Sequence, residues 1–171
     1  MTLSKQDFFS PTVGRLSFDG VVYAIVGLVR EYPGAPFRIS VGTDSEEILG
    51  HVKFMTVIHV WRIGHGARAF RTEGNGSEIK TGTPKNFRPR IYEEILRTAT
   101  LAQELRSALR EAFGDPNLED IEVHADVSET GGTSSMLREV IGMLKGYGFA
   151  DALIKIKPEA YAASAVADHY I

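Results

Sequence analysis

Cysteine is absent from the 171-residue sequence, and this absence excludes several kinds of chemistry at once. Without thiols the chain has no disulfide bond, no thiolate nucleophile and no cysteine-ligated zinc site. Long apolar runs are lacking too, since the best one, residues 21–29, is far too short to span a bilayer. A strongly basic composition is also missing, because the formal net charge is −3. We therefore expect a soluble, cytoplasmic protein with no membrane segment.

Positive charge is nevertheless concentrated in one part of the chain. Between Arg62 and Arg90, seven Lys or Arg side chains stand against two acids. Residues 73–88 within this segment show no periodic pattern, which predicts a long loop of the functional or mobile kind. We predict that its bases, with the one just beyond it, bind a polyanion such as nucleic acid: Lys80, Lys85, Arg88 and Arg90. A solubilising loop, or one that contacts a sister subunit in a homo-oligomer, is the alternative.

The length and the 43% hydrophobic content suit a single domain over residues 1–171. Ser17 predicts the N-cap of a helix over 18–31. Alternating apolar residues then predict three strands that short turns join into an antiparallel meander. The first is expected to stop at Gly42, the second to cover 51–62 and the third to cover 67–72. The remaining pattern predicts a long helix over 89–113, a strand over 121–127, a helix over 134–145, a strand over 149–157 and a helix over 159–171. We expect an α/β fold with a five-stranded mixed sheet, two of its strands parallel and reached by βα crossovers.

Acids recur where these elements end. Asp44 and Asp126 each follow an alternating strand, where a carboxylate is held rigidly yet stays open to solvent. Glu94 lies on the flank of the buried face of the long helix, and Asp168 lies in the last helix. Taken singly, each acid is equally compatible with a turn or a charged surface position. Glu93 is expected to be exposed on the opposite side of the long helix.

The order of elements and the local motifs together resemble a known family. A three-strand meander, a helix with a Glu, and a further strand and last helix that each bring an Asp form the layout of the ribonuclease H-like fold. The motifs SPTVGRLSF, VGTDS, RIYEE, IEVHADV, EVIGMLKGYGF, IKPEAYAAS and VADH resemble the predicted ribonuclease H-related nucleases of the YkuK type. The resemblance covers nearly the whole chain. It implies a metal-dependent phosphodiesterase site.

The chemistry of phosphodiester cleavage agrees with this acidic set. Two Mg²⁺ or Mn²⁺ ions can activate the attacking water and stabilise the leaving oxygen, and both ions prefer oxygen ligands. We predict that Asp44 and Asp126 bridge the ions and that Glu94 and Asp168 complete the site as catalytic, metal-binding residues. The auxiliary candidates are Ser45, His124 and His169. Lys155 and Lys157 are predicted to lie on a solvated face, and a core role for His124 remains open.

Two other functions fit the same residues. One is a catalytically incomplete ribonuclease H-like module that acts in nucleic-acid or protein binding, which fold alone does not distinguish from a nuclease. The other is a phosphotransferase, which ranks last because no glycine-rich phosphate hairpin follows Asp44. Titration with Mn²⁺ separates a nuclease from a pure binding module.

Overall fold

The computed structural model describes residues 2–79, 87–114 and 120–171. Within these ranges, seven strands form one mixed sheet in the order β2-β1-β5-β4-β3-β6-β7. The strands are β1 (Phe8–Ser10), β2 (Gly14–Leu16), β3 (Phe37–Ile48), β4 (His51–Arg62), β5 (Gly66–Asn75), β6 (Glu122–His124) and β7 (Ile154–Lys155). The helices are α1 (Phe18–Glu31), α2 (Phe87–Phe113), α3 (Leu137–Gly146) and α4 (Asp168–Tyr170), with 3₁₀ turns at Ser134–Met136 and Asp151–Leu153 and a π-helix at Ala162–Ala167.

The mixed α/β architecture agrees with the prediction, whereas the predicted number of five strands is wrong. Strands β3, β4 and β5 form the expected antiparallel meander. Strand β6 pairs in parallel with β3, and β7 pairs in parallel with β6. The two further strands are β1 and β2, a hairpin before α1 that joins the sheet where Phe9 lies opposite Arg71. Each has three residues, which is too few for alternation to be recognised in a sequence.

Two predicted elements have the expected bounds. Helix α1 begins at Phe18 because the Ser17 hydroxyl accepts a hydrogen bond from the Gly20 N–H at 3.1 Å, an N-cap contact. Strand β4 covers His51–Arg62, where β-branched and aromatic residues are frequent. Helix α1 contributes to the larger hydrophobic core, and β4 pairs with β3, the strand that carries Asp44.

Strand β3 does not stop at Gly42 as the sequence predicted. It continues to Ile48, and Asp44 lies inside the ladder opposite Met55. Glycine is required at position 42 for another reason. A Cβ atom there would lie 2.4 Å from the backbone nitrogen of Ala163. A helix backbone therefore crosses β3 at this point, which only glycine permits.

The two faces of the sheet are covered differently. Helices α1, α2 and α3 contribute to the larger hydrophobic core. The other face carries the C-terminal helix, by which we mean residues Ala162–Tyr170, packed on a small cluster around Met55, Val57 and Ala167. Because successive strand residues alternate between faces, Asp44 points to the side of the C-terminal helix and Ser45 to the side of α2.

The last elements are shorter than predicted. The strands expected over 121–127 and 149–157 are reduced to β6 and β7, although Ala125 N–H still donates to the Lys155 carbonyl and Lys157 N–H to the Val127 carbonyl, both at 2.9 Å. The helix predicted over 134–145 begins with a 3₁₀ turn, and the final one is π-helical before it becomes α-helical. π-Helical turns inside helices are frequent at functional sites.

Helix α2 differs from the prediction on its outer side. Arg97, expected opposite the buried face, is itself only 7% exposed. Its guanidinium lies 4.7 Å from the Phe54 ring centroid and forms a 2.8 Å ion pair with Glu93, whose side chain is 23% exposed and so half-buried instead of exposed. The reason is that β5 extends to Asn75 and covers this turn of the helix.

The loop predicted over 73–88 is shorter at both ends, because β5 continues to Asn75 and α2 begins at Phe87. Lys80 and Lys85, two of the predicted polyanion-binding residues, lie outside the described residues. In the described part of the chain, no helix combines the length and the apolar character that crossing a membrane requires.

Candidate functional site

Asp44 and Asp126 are brought side by side by the parallel pairing of β3 and β6. The register aligns Gly42 with His124, so residues two further along each chain lie at the same level and on the same face. That face is the one covered by the C-terminal helix, which brings Asp168 to the same place. The Asp44 carboxyl is within hydrogen-bonding reach of Asp168 and within electrostatic reach of Asp126.

The proximity of these acids perturbs Asp44. Burial raises the pKa of Asp44 to about 6, and the charges of Asp126 and Asp168 act in the same direction, while a hydrogen bond from the Ser45 N–H opposes them. Mutually repelling carboxylates of this kind gain stability when a cation binds between them. The arrangement therefore favours a positively charged ligand.

Lys157 already supplies one positive charge to this group. Its ammonium lies 2.8 Å from Oδ1 of Asp126 and within electrostatic reach of Asp44 and Asp168. The hydrogen bond and charge of Asp126 raise the pKa of Lys157. Lys157 is exposed as predicted, with 46% of its side chain accessible, but the sequence did not predict that its ammonium pairs with Asp126. The missed signal was its place in the register beside Asp126 on the neighbouring parallel strand.

Glu94 approaches from the opposite face of the sheet. It is 7% exposed, more deeply buried than the helix flank that the sequence predicted. The Ser45 hydroxyl donates to Oε1 of Glu94 at 2.5 Å. Burial raises the pKa of Glu94 to about 8, the Ser45 hydrogen bond and the Arg90 charge oppose the rise, and the charges of Asp44 and Asp126 add to it.

Arg90 holds this side of the site together. Its Nε donates to the Ser45 hydroxyl at 3.0 Å and its Nη2 to the Ser45 carbonyl at 2.5 Å. Arg90, predicted to bind substrate from just beyond the loop, lies in helix α2 as the predicted helix bounds imply, and it directs these nitrogens inward at Ser45. Ser45 itself, predicted as an auxiliary residue, links Arg90 to Glu94.

The two histidine candidates have contacts with other residues. His124 is fully buried, and its Nδ1 accepts a hydrogen bond from the Ala162 N–H at 3.0 Å. The neutral ring then carries its proton on Nε2, which lies 3.0 Å from Oε2 of Glu122. His124 therefore fixes the start of the C-terminal helix. His169 packs edge-on against the Tyr170 ring, with the ring centroids 5.1 Å apart.

Arg88 is directed away from the acids. Its Nη1 donates to the Tyr92 hydroxyl at 3.4 Å and lies 3.5 Å from Glu139 of α3. The side chain is 52% exposed, so it remains accessible to a ligand at the surface.

We call Asp44, Glu94, Asp126 and Asp168 the carboxylate cluster. Its donors are oxygen atoms, the ligands that Mg²⁺ and Mn²⁺ prefer, and the chemistry of the set therefore fits these ions. As the side chains stand in residues 2–79, 87–114 and 120–171, no group of three or more Asp, Glu or His side chains is arranged to hold a metal ion. The acids are instead balanced by Lys157, Ser45 and Arg90.

Comparison with known proteins agrees with the architecture. The family model described as "Ribonuclease H-like" matches residues 20–171. A protein of Bacillus subtilis (strain 168) named "Uncharacterized protein YkuK" is 25% identical over 179 residues, which cover 95% of this chain and 95% of that protein. No solved structure gives a significant match. The chain belongs to the ribonuclease H-like family, and it is similar to the YkuK protein that its motifs resemble.

Proposed function

We propose that the protein is a divalent-metal-dependent nuclease that hydrolyses phosphodiester bonds in DNA or RNA. The observation that carries the proposal is the meeting of Asp44, Asp126 and Asp168 on one face of the sheet, in a chain of the ribonuclease H-like family. Raised pKa values at neighbouring acids are typical of functional sites, which adds support.

Each acid has a distinct role in this proposal. Asp44, Asp126 and Asp168 would hold Mg²⁺ or Mn²⁺, and Glu94 would complete the set from the side of α2. The chemistry that the bound ion supplies is an activated water and stabilisation of the leaving oxygen. Ser45 and Arg90 keep the Glu94 carboxyl in one orientation through their hydrogen bonds. Fixed orientation matters, because a displaced ligand loses much of its effect on the rate.

Nucleic acid is the proposed substrate, and bases around the acids would bind its phosphates. Lys80, Lys85 and Arg88 are the proposed contacts, in the segment that leads to the helix with Glu94. Replacing all three by Ala should reduce the salt dependence of binding by about 0.7 log units per lost contact on single strands and about 0.9 on duplex. Unchanged affinity and slope would remove these residues from the proposal.

A binding module without catalysis is the second candidate. It is favoured by the way in which the chain neutralises its own acids: Lys157 pairs with Asp126, and Ser45 and Arg90 satisfy Glu94. A cluster balanced in this manner can be stable with no metal bound.

A cleavage assay separates the two candidates. End-labelled single-stranded and double-stranded DNA and RNA are incubated with the protein in MgCl₂, in MnCl₂ or in EDTA. The nuclease proposal expects cleavage of at least one substrate in the metal samples and none in EDTA. Binding of an oligonucleotide without cleavage under every condition would contradict the nuclease and support the binding module. The absence of both binding and cleavage would contradict both candidates.

A further inference from the structure

Lys157 is in direct contact with Asp126, one of the proposed metal ligands, and the sheet backbone sets the direction from which its side chain comes. The Lys157 N–H donates to the Val127 carbonyl and the Ala125 N–H to the Lys155 carbonyl, so Asp126 lies between two backbone hydrogen bonds to β7 and the two residues that follow it. Because residues at one level of paired strands point to one face, the Lys157 side chain must emerge beside that of Asp126. The strand register therefore directs the Lys157 side chain toward Asp126, and its ammonium lies 2.8 Å from Oδ1 of that residue.

The resulting ion pair differs from an ordinary surface pair. Exposed Lys–Asp pairs contribute little, since water screens both charges. Here the Lys157 side chain is 46% exposed, but the Asp126 side chain is only 21% exposed and its Oδ1, the atom that contacts Lys157, is buried. Lys157 also remains within electrostatic reach of Asp44 and Asp168. One ammonium therefore interacts with three carboxylates.

Charge balance on this face then limits what else can bind. When all three carboxylates are ionised they carry three negative charges, and Lys157 offsets one of them. Two negative charges remain, which a single divalent cation neutralises. Glu94 is left out of this count because it lies on the other face, near Ser45 and Arg90, although it interacts with the charges of Asp44 and Asp126.

We propose that Lys157 is the built-in second cation of the carboxylate cluster, so that the site takes one divalent ion where two were predicted. The inference depends on the proposed function and specifies how that site is charged. Lys157 occupies the cation position next to Asp126, and its ammonium supplies there a fixed positive charge that faces the substrate phosphate.

The test counts Mn²⁺ ions per chain in three proteins. Wild type, Lys157→Met and the matched control Lys155→Met are titrated with MnCl₂ by calorimetry, and free Mn²⁺ is counted in parallel by its electron paramagnetic resonance signal. Lys155 is a suitable control because it lies on the same strand and loses the same charge without contacting the acids. We expect one ion in wild type and in Lys155→Met. We expect two ions in Lys157→Met, the first bound at least about tenfold more tightly, because a repelling charge is removed.

Stability provides a second readout that does not depend on activity. Without metal, Lys157→Met should melt below wild type, since three acids lose their cation, and Mn²⁺ should raise its Tm more than that of wild type. Lys157→Gln, which keeps a donor to Asp126 without charge, replaces Lys157→Met if the latter does not fold.

The outcomes separate this inference from the proposed function. Two ions in wild type, or one ion in Lys157→Met with the affinity of Lys155→Met, would overturn the role of Lys157 and leave a metal-dependent nuclease standing. Failure of wild type to bind Mn²⁺ at all would overturn the metal-dependent function together with this inference.

Discussion

Asp44 and Ser45 are neighbours in the chain, yet they belong to two halves of the site that are built differently. The open half, Asp44, Asp126, Asp168 and Lys157, lies on the face of the C-terminal helix and is held by charges. The closed half, Ser45, Arg90 and Glu94, lies on the face of α2 and is held by short hydrogen bonds.

The difference indicates a division of labour between the halves. The Ser45 hydroxyl and the Arg90 Nε and Nη2 all donate hydrogen bonds within the closed half, so this half contributes stability and orientation. The open half has more negative than positive charge, so it gains from an added cation. We therefore expect substitutions in the open half to affect ligand binding and cleavage, and those in the closed half to affect the free energy of unfolding.

The largest effect is expected from Asp44→Asn. Removing this ligand should lower metal-dependent cleavage by more than about 100-fold, a larger loss than supporting residues around a metal site usually cause. The fold should persist, because one of several repelling acids is neutralised. Initial cleavage rates and the Tm measure both effects.

Glu73→Gln is the matched control for Asp44→Asn. Glu73 lies in the same row of the sheet, since Asp44 pairs with Met55 and Met55 with Glu73, but it forms an ion pair with Lys53. Equal losses of cleavage in both variants would show that charge on this row, and not the carboxylate cluster, controls activity.

Arg90→Met should destabilise the closed half. Its two charge-assisted hydrogen bonds to Ser45 are lost and the Ser45 carbonyl loses its donor, so unfolding should require about 2–3 kcal/mol less free energy. Urea denaturation measures the change. Arg88→Met serves as the comparison, because its pair with Glu139 is exposed and worth less than about 1 kcal/mol. A smaller loss for Arg90 than for Arg88 would contradict the closed half as a stabilising unit.

Gly42→Ala should separate the C-terminal helix from the open half. The new Cβ would approach the Ala163 backbone at 2.4 Å, and overpacking of this kind costs about 1–3 kcal/mol. Thermal unfolding should show a lower Tm, together with weaker Mn²⁺ binding as Asp168 shifts. Gly27→Ala in α1 should instead raise the free energy of unfolding by up to about 1 kcal/mol, because nothing lies within 4 Å of the added Cβ. An unchanged Tm in Gly42→Ala would refute the close contact.

The smallest effect concerns pH. Burial lowers the pKa of His59 to about 4, with the nearby His124 acting in the same direction. Because the unfolded chain then binds the proton more readily, this contribution to stability is complete above the unfolded pKa near 6.5 and is lost as pH falls toward 4. We expect about 1–2 kcal/mol less stability at pH 5 than at pH 7 from this residue.

His59→Gln isolates that contribution. Denaturation curves of wild type and variant at pH 7 and pH 5 give the difference directly, and the variant should lose less stability on acidification. Since His59 packs edge-on against Tyr161, just before the C-terminal helix, the same loss in both proteins would show that this contact contributes no pH dependence.

The sequence predicted best what depends on local pattern. Helix α1 with its Ser17 cap and strand β4 are local features, and both have the predicted bounds. Alternation also suggested that Asp44 and Asp126 would be neighbours. Gly42 was interpreted as a strand end because a helix crossing is invisible in the sequence. Lys157 was missed because its direction depends on parallel register with a strand about thirty residues earlier in the chain.

The sequence also did not predict which charged residues of α2 are buried. The helical period of α2 predicted that Arg97 faces solvent. Arg97 would face solvent if β5 ended at Thr72, as predicted. Three more residues in that strand cover the helix turn, and the guanidinium then packs on Phe54. Small changes in strand length therefore decide whether a periodic pattern gives the right face.

The edges of the described sheet have a consequence for self-association. Its outermost strands are β2, with three residues, and β7, with two, so each offers few backbone groups to a strand from another molecule. Lys155 lies in β7 and Lys157 follows it, and lysines along an edge repel an incoming copy of the same strand. Lys157, which balances the charge of Asp126, therefore also opposes β-aggregation at this edge of the sheet.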